Sequence, residues 1–278
     1  MGAVLVGFGA TRWGLAGRAR LAPPPPYRIV EESIDVPEIS SLTMVALRGG
    51  TFYMKAADRH IQVPRFKIQQ VPVTKALYAA VTGEKRGVGS NDAPVNNVKW
   101  FEAIAFCNQL SKRAGYTPCY AISDDKQVEW NPYADGFRLP TEAEWEFALR
   151  AGTKTDYFFG PQRNAHKYAW FEGSVNQPQP VGQKLSNPWQ LHDMTGNVWE
   201  WCWDTSPQGN EDIVTYMTNE AFRKSAPGGV RVLRGGAFDY DAEFLGSSIR
   251  FRFAPGFRFE FVGFRCVRGS RRQSVLDH

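Results

Sequence analysis

Only four cysteines (Cys107, Cys119, Cys202 and Cys266) occur among 278 residues, and no two form a CxxC pair. That argues against a disulfide framework, which belongs to short secreted chains, and against a zinc site built on thiolates. The four read instead as small buried hydrophobes. Histidine is equally sparse. His60, His166, His192 and His278 form no HxxxH or HxxE pattern, which excludes the usual histidine metal centres. No serine is framed by the glycines of a nucleophile elbow. No run of about 18 apolar residues exists, so a polytopic membrane protein is excluded. Excess charge is small as well: the formal net charge is +5, and most of it sits at the two ends. Residues 1–30 hold Arg12, Arg18, Arg20 and Arg28 and no acid, while residues 267–278 hold three arginines against Asp277. The body between them is nearly neutral, so a nucleic-acid partner is not expected.

What the chain does have is aromatic content, 14% of all residues. Its organisation is read in three parts. Residues 1–41 form an N-terminal extension or strap around the run Pro23–Pro26, which is restricted to polyproline-like conformations. The opening Val4–Gly9 mimics a dinucleotide fingerprint, but Arg12 stands at the third glycine position and Pro23 leaves no room for the crossover helix. Residues 42–268 read as one α+β domain, and residues 269–278 as a basic tail.

Within the domain, Met44–Leu47 followed by Gly49–Met54 reads as a hairpin with a glycine turn, and Phe66–Gln69 alternates like a strand. Thr74 caps a short helix through Ala80 that stops near Gly83. A second helix spans Trp100 to Arg113, with Phe101, Ile104, Ala105 and Leu110 along its stripe and Gly115 as its stop. Pro140-Thr141-Glu142-Ala143-Glu144 is a capping box that opens a third helix. There Trp145, Ala148 and Leu149 share a face, and Glu146 and Arg150 form an i,i+4 pair. Beyond residue 151 the helical signal fades into Gly-, Pro-, Asn- and Trp-rich sequence, as expected where loops carry function. Trp199 and Trp201, two apart, face one side of a strand. The glutamates Glu142, Glu144, Glu146 and Glu200 read as caps and ion-pair partners rather than as general acids.

Four segments resemble one family. Phe137–Glu146 resembles the RLPTEAEWE signature, Leu191–Trp201 the DMxGNVWEW signature, Arg231–Gly236 the RGG segment, and Gly263–Cys266 the GFRC segment, in family order. The chain is identified as a member of the formylglycine-generating enzyme (sulfatase-modifying factor) family over about residues 44–267. The resemblance implies an α+β fold of C-type lectin type, with a twisted antiparallel sheet, flanking helices and long irregular loops. It also implies a calcium ion near Asn197, ligated with Gly196, Val198 and Glu200 through hard oxygen donors. The alternative for Asn197 is a side chain bonded to local backbone in a turn. The family's enzymes use a cysteine pair shortly after the RGG segment, where thiolates bind copper and manage oxygen and thiol chemistry. Here that stretch, Ala237–Leu245, contains no cysteine, so the oxidase chemistry lacks its reactive atoms. No cofactor is required on this reading; calcium would be structural.

The same region is unusually rich in phenylalanine: eight of the nineteen lie between residues 238 and 264. One branch of the family comprises the variable proteins of diversity-generating retroelements, in which adenines of AAC codons near the end of the gene are randomised. From Phe238 to Val262 only Glu243 and Glu260 lie outside the residues such a codon can reach. The resemblance therefore implies a non-catalytic, receptor- or adhesin-like binding protein, expected as a monomer. Its ligand is expected to be a protein or other surface target; the resemblance suggests the cell surface or a phage as its location, with the cytoplasm as the open alternative. The expected contact residues within the variable segment 238–262 are Asp239, Tyr240, Asp241, Phe244, Gly246, Ser248, Ile249, Phe251, Phe253, Phe257, Phe259 and Phe261. Their aromatics are expected to stand partly exposed. Two alternatives remain: a divergent oxidoreductase of the family, and a structural component of a phage or surface assembly.

Overall fold

The computed structural model describes residues 30–37, 39, 41–124, 127–206 and 229–269. Most of the N-terminal extension, Pro23–Pro26 included, and the tail beyond Gly269 lie outside these residues. In chain order the strands are β1 (Val30–Ile34), β2 (Leu42–Leu47), β3 (Gly50–Met54), β4 (Arg59–Val63) and β5 (Phe66–Gln69). After helices α1 (Lys75–Thr82) and α2 (Trp100–Arg113) come β6 (Tyr120–Ile122), β7 (Val128–Trp130) and β8 (Phe137–Arg138). Helices α3 (Glu142–Arg150) and α4 (Ala165–Tyr168) precede β9 (Trp199–Ser206), β10 (Val230–Arg234), β11 (Arg250–Phe253), β12 (Val262–Gly263) and β13 (Val267–Arg268).

One sheet has the order β1-β2-β5-β13-β8 and a second the order β11-β10-β9-β12; β3–β4 and β6–β7 are separate hairpins. Pairing is antiparallel except for β12, which runs parallel to β9. Side chains alternate across these strands, so the sheets lie between two cores. Met44, Trp199, Trp201 and Leu233 join α1 and α2 in one core, while Val45, Cys202, Val232 and Val267 join α3 in the other. Trp199 and Trp201 therefore do face one side, and all four cysteines are buried and free.

The local helix signals hold. Thr74 accepts from the Leu77 amide at 3.1 Å, and α1 runs two residues past Ala80 before Gly83 ends it. In α3, Glu144 N–H donates to Thr141 Oγ1 at 3.2 Å while Thr141 N–H donates to the Glu144 carboxylate at 2.9 Å. The buried stripe of α2 is rotated from the expected one. Ala103, Ile104, Phe106, Cys107 and Leu110 point inward, and Phe101 and Ala105 lie at its edge.

Two expectations need correcting. Leu42–Leu47 does not pair with Gly50–Met54: β2 pairs with β1 and β5, and β3 pairs with β4. Gly49 does turn the chain (φ +76°), but it presses so close to Val63 O that a Cβ there would lie 2.3 Å away. The turn thus steers the chain out of one sheet into a separate hairpin. In addition, Val30–Ile34, read as part of the strap, forms the edge strand of the first sheet.

The glutamates are all engaged structurally. Glu144 holds Arg138 at 2.6 Å, Glu142 holds Arg250, and the fully buried Glu146 joins Arg150 at 2.8 Å and Arg234 at 2.5 Å. Burial works against ionisation of Glu144, but Arg138 prevails and holds its pKa below the ordinary value. Arg265, with 0% exposure, donates to Glu200 at 2.8–3.0 Å and to the carbonyls of Gln69, Gln70, His192 and Asp193 at 2.9–3.3 Å. It ties β9 to the end of β5 and to the 192–193 loop.

Candidate functional site

The segment expected to vary starts where the RGG turn leaves β10. Gly236 (φ +80°) sits so close to Phe244 O and to the Leu245 side chain that a Cβ would approach them to 3.1 and 2.9 Å. From there the chain makes a 3-10 turn at Ala242–Leu245, returns along β11, and loops through residues 254–261 to β12. Phe251 and Phe261 thus belong to different elements, separated by the turn at Ala254-Pro255-Gly256.

The twelve expected contact residues do not form one surface. Tyr240, Phe257, Phe259 and Phe261 are half-buried and make a continuous aromatic ledge. Phe257 and Phe259 are parallel at 6.3 Å, Phe259 and Phe261 at 5.0 Å, and Tyr240 meets Phe261 edge-on at 5.3 Å. Asp239 and Asp241 are exposed at its rim. Partial burial and the nearby Glu172 raise the pKa of Asp239.

Phe244, Phe251 and Phe253 correct the expectation of exposure: they are 8%, 2% and 6% exposed and belong to the core. They form the layer under the ledge. Phe251 packs on Trp199 at 5.2 Å, Phe253 on Phe259 at 4.3 Å, and Phe244 on Tyr240 at 5.4 Å. Ile249 packs against the same core, and half-buried Gly246 faces Ile249. Ser248 faces elsewhere, accepting from Arg150 Nη2 at 2.9 Å.

What holds this segment is mostly main chain. Glu172 N–H donates to Tyr240 O at 2.9 Å, Asn97 N–H to Phe259 O at 2.9 Å, Trp100 N–H to Pro255 O at 3.2 Å, and Trp199 N–H to Phe261 O at 2.8 Å. The Trp100 bond satisfies a donor left open at the start of α2. Ser247 N–H donates to Asp156 O at 2.6 Å, and the Arg234 guanidinium donates to the carbonyls of Ser247 and Ile249. Arg258 adds an ion pair to Glu102. The frame residues in this clamp (Asn97, Trp100, Asp156, Glu172) escaped the sequence reading. They act through backbone groups, which no residue pattern marks.

The expected calcium ligands are otherwise engaged. Asn197 Oδ1 accepts from Gln179 N–H at 3.0 Å and its Nδ2 donates to Gln179 O at 3.0 Å. The Glu200 carboxylate is held by Arg265 and by Trp145 Nε1 at 2.7 Å. With its charge already matched by a guanidinium, Glu200 does not join Gly196, Asn197 and Val198 in a ligand set. The Asn197 side chain thus bonds backbone, but that of Gln179, eighteen residues away, and not of its own turn. Among the described residues no group of three or more His, Cys, Asp and Glu side chains is arranged to hold a metal ion. None has a helix long and apolar enough to cross a membrane.

Away from the ledge, a recess of about 600 Å³ is lined by Trp130, Arg138, Glu142, Asp204 and Arg250 among others. Asp204 accepts from the Glu142 amide at 2.6 Å. Burial, reinforced by the Glu142 and Glu144 carboxylates, outweighs that bond and raises its pKa to about 6. A carboxyl with a raised native pKa binds its proton more tightly folded than unfolded. Stability contributed by that proton is present below about pH 4 and lost as pH rises through about 6. Asp204→Asn is therefore expected to raise the melting temperature at pH 7–8 and to flatten its fall between pH 4 and 6. Parallel melting curves of the two proteins that stay a constant distance apart over this range would refute the assignment.

A model of the family described as "Sulfatase-modifying factor enzyme 1-like domain" matches residues 32–270. Over 198 residues the chain is 30% identical to the chaperone protein LppX of Paenibacillus barcinonensis, covering 58% of this chain and 71% of that protein. It is 28% identical over 289 residues to the formylglycine-generating enzyme of Thermomonospora curvata, covering 81% and 92%. Among solved structures, Treponema denticola variable protein 1 superposes with a TM-score of 0.72 at 28% identity, covering 86% of this chain and 99% of that one. Its relatives thus include both a variable protein and an enzyme.

Proposed function

This chain belongs to the sulfatase-modifying factor enzyme 1-like domain family, and we propose that within it the chain is a non-catalytic binding protein. Its variable surface is the ledge of Tyr240, Phe257, Phe259 and Phe261, with Asp239 and Asp241 at the rim. The observation that carries this reading is the clamp. Main-chain groups and the Arg234 guanidinium grip carbonyls and amides of the segment, and such bonds survive a change of side chain. Replacing the outward rings then alters the contact surface without unfastening the loop. Rigid aromatics supply contact area at low entropic cost, as they do in antibody loops. The enzymatic alternative is disfavoured by the absence of cysteine from Ala237–Leu245 and by the burial of all four thiols elsewhere. Burial also raises the thiol pKa of Cys107, Cys119 and Cys202, which keeps them protonated and unreactive.

Two measurements test the reading. A displayed library randomised at the four ledge positions should stay largely protease-resistant and yield binders to an unrelated probe such as hen egg lysozyme. General loss of folding, or no binders from a folded library, would count against it. Oxygen uptake and formylglycine formation on a cysteine-containing peptide should both be nil, and turnover of either kind would restore the enzymatic reading. A reverse transcriptase gene nearby, with a repeat differing only at adenines, would identify the source of the variation.

A further inference from the structure

A second recess, of about 470 Å³, lies between the β3–β4 hairpin, the C-terminal end of α3 and the loop at residues 152–156. That volume is within the range of small-molecule sites. Its apolar wall is made by Phe147 and Trp189, both buried with ring centroids 4.9 Å apart, and by Phe52 at 5.8 Å from Phe147. Its cationic groups are Lys55, Lys154 and Arg150, with the His60 imidazole beside them, against the single carboxylate of Asp156. No carboxylate pairs with Lys55 or Lys154 among the described residues.

The positive character is built in at depth. Glu146 pairs with Arg150 and Arg234, and Glu142 with Arg234 and Arg250, so two carboxylates answer three guanidiniums. Arg150 is fixed by Glu146 at 2.8 Å, Thr155 O at 3.1 Å and Ser248 Oγ at 2.9 Å. A helix C-terminus ordinarily repels anions through its open carbonyls. Here those carbonyls are occupied. Asn187 Nδ2 donates to Ala148 O and Leu149 O at 2.7 and 3.2 Å, and Thr153 N–H and Oγ1–H both donate to Arg150 O at 2.8 Å.

We propose that this recess binds a small apolar carboxylate, its ring or branched chain against Phe147 and Trp189 and its charge between Lys55 and Lys154. The chemistry is shared by a free aryl acid and by a peptide ending in an aromatic residue with a free carboxylate. The site is independent of the ledge and of the reading given to it.

Calorimetric titration of the full chain tests the proposal. Phenylacetate should bind saturably, whereas 2-phenylethanol and 2-phenylethylamine, which keep the ring but lack the negative charge, should bind at least about tenfold more weakly, a difference of about 1.4 kcal/mol. Gly-Gly-Phe as free acid and as amide form the second arm. Binding of the acid alone assigns the recess to peptide ends as well, and its failure beside phenylacetate binding confines the site to free acids. Lys55→Glu with Lys154→Glu, two exposed substitutions, should weaken phenylacetate binding by a similar factor. A Phe259→Ser variant of the ledge should leave it unchanged. No saturation with phenylacetate, equal affinity for the alcohol, or an unaltered affinity in the double variant would overturn the proposal. None of those results would touch the library test of the ledge.

Discussion

Replacing Arg265 with alanine is expected to remove about 3–5 kcal/mol of stability, the usual cost of deleting one partner of a buried ion pair. Total stabilities of domains are about 5–15 kcal/mol, so the loss takes a large share of the whole. The reason is the number of groups that depend on one side chain. Glu200, with 1% side-chain exposure, would be left with Trp145 Nε1 as its one side-chain partner. The carbonyls of Gln69, Gln70, His192 and Asp193 would lose their donor. Arg265→Lys should fare little better, because an ammonium has three donors on one atom and does not span the same fork. Glu200→Gln leaves the guanidinium its four carbonyls and should cost less than Arg265→Ala. Urea unfolding of the three variants checks the order. An alanine variant within about 1 kcal/mol of the parent would mean that the pair does not fasten the sheets as described.

The second large effect separates the two layers of the phenylalanine cluster. Phe251→Ala should cost about 3–5 kcal/mol, the range for emptying a buried aromatic site. Its ring is 2% exposed and packs on Trp199, Tyr240 and Phe253. Phe259→Ser, at a half-buried position, should cost under about 1.5 kcal/mol, because much of that ring already meets solvent. A binding assay should invert the order of importance: the serine variant folds and loses its ligand. In a library of the segment, positions 244, 251 and 253 should stay apolar while 240, 257, 259 and 261 range freely. Sorting a saturation library for protease resistance measures this directly. Equal tolerance at Phe251 and Phe259 would erase the distinction between ledge and underlayer.

The α+β architecture, a C-type lectin-like fold of the formylglycine-generating-enzyme type, was readable because its signals are local. Thr141 and Glu144 cap each other across three residues, and Trp199 and Trp201 face together because a strand has period two. What misled were features whose meaning depends on distant partners. Asn197 and Glu200 offer oxygen atoms suited to a cation, yet their real partners are Gln179, eighteen residues away, and Arg265, sixty-five away. Gly49-Gly50 has the composition of a hairpin turn, but the partner of β2 is chosen by the core and not by the turn. The phenylalanine segment shows both cases. Phe251 and Phe253 alternate with Arg250 and Arg252 along a strand with one buried face. The same alternation at Phe257, Phe259 and Phe261 has no strand pairing to match. Composition counts rings and cannot rank them by depth.

The order β1-β2-β5-β13-β8 places Val267 and Arg268 in the interior of a sheet whose other strands all lie before residue 139. During synthesis β5 and β8 emerge from the ribosome with an open slot between them, and some 130 residues must follow before the strand that fills it appears. Until then Ile68 and Phe137 present unpaired backbone. Contacts of this sequence separation make for slow closure and a period of vulnerability to mispairing. The segment proposed to vary lies just upstream of that last strand. On that proposal every variant would be translated before the sheet can close, and a ledge that is too sticky would meet its first test inside the nascent chain, ahead of any ligand.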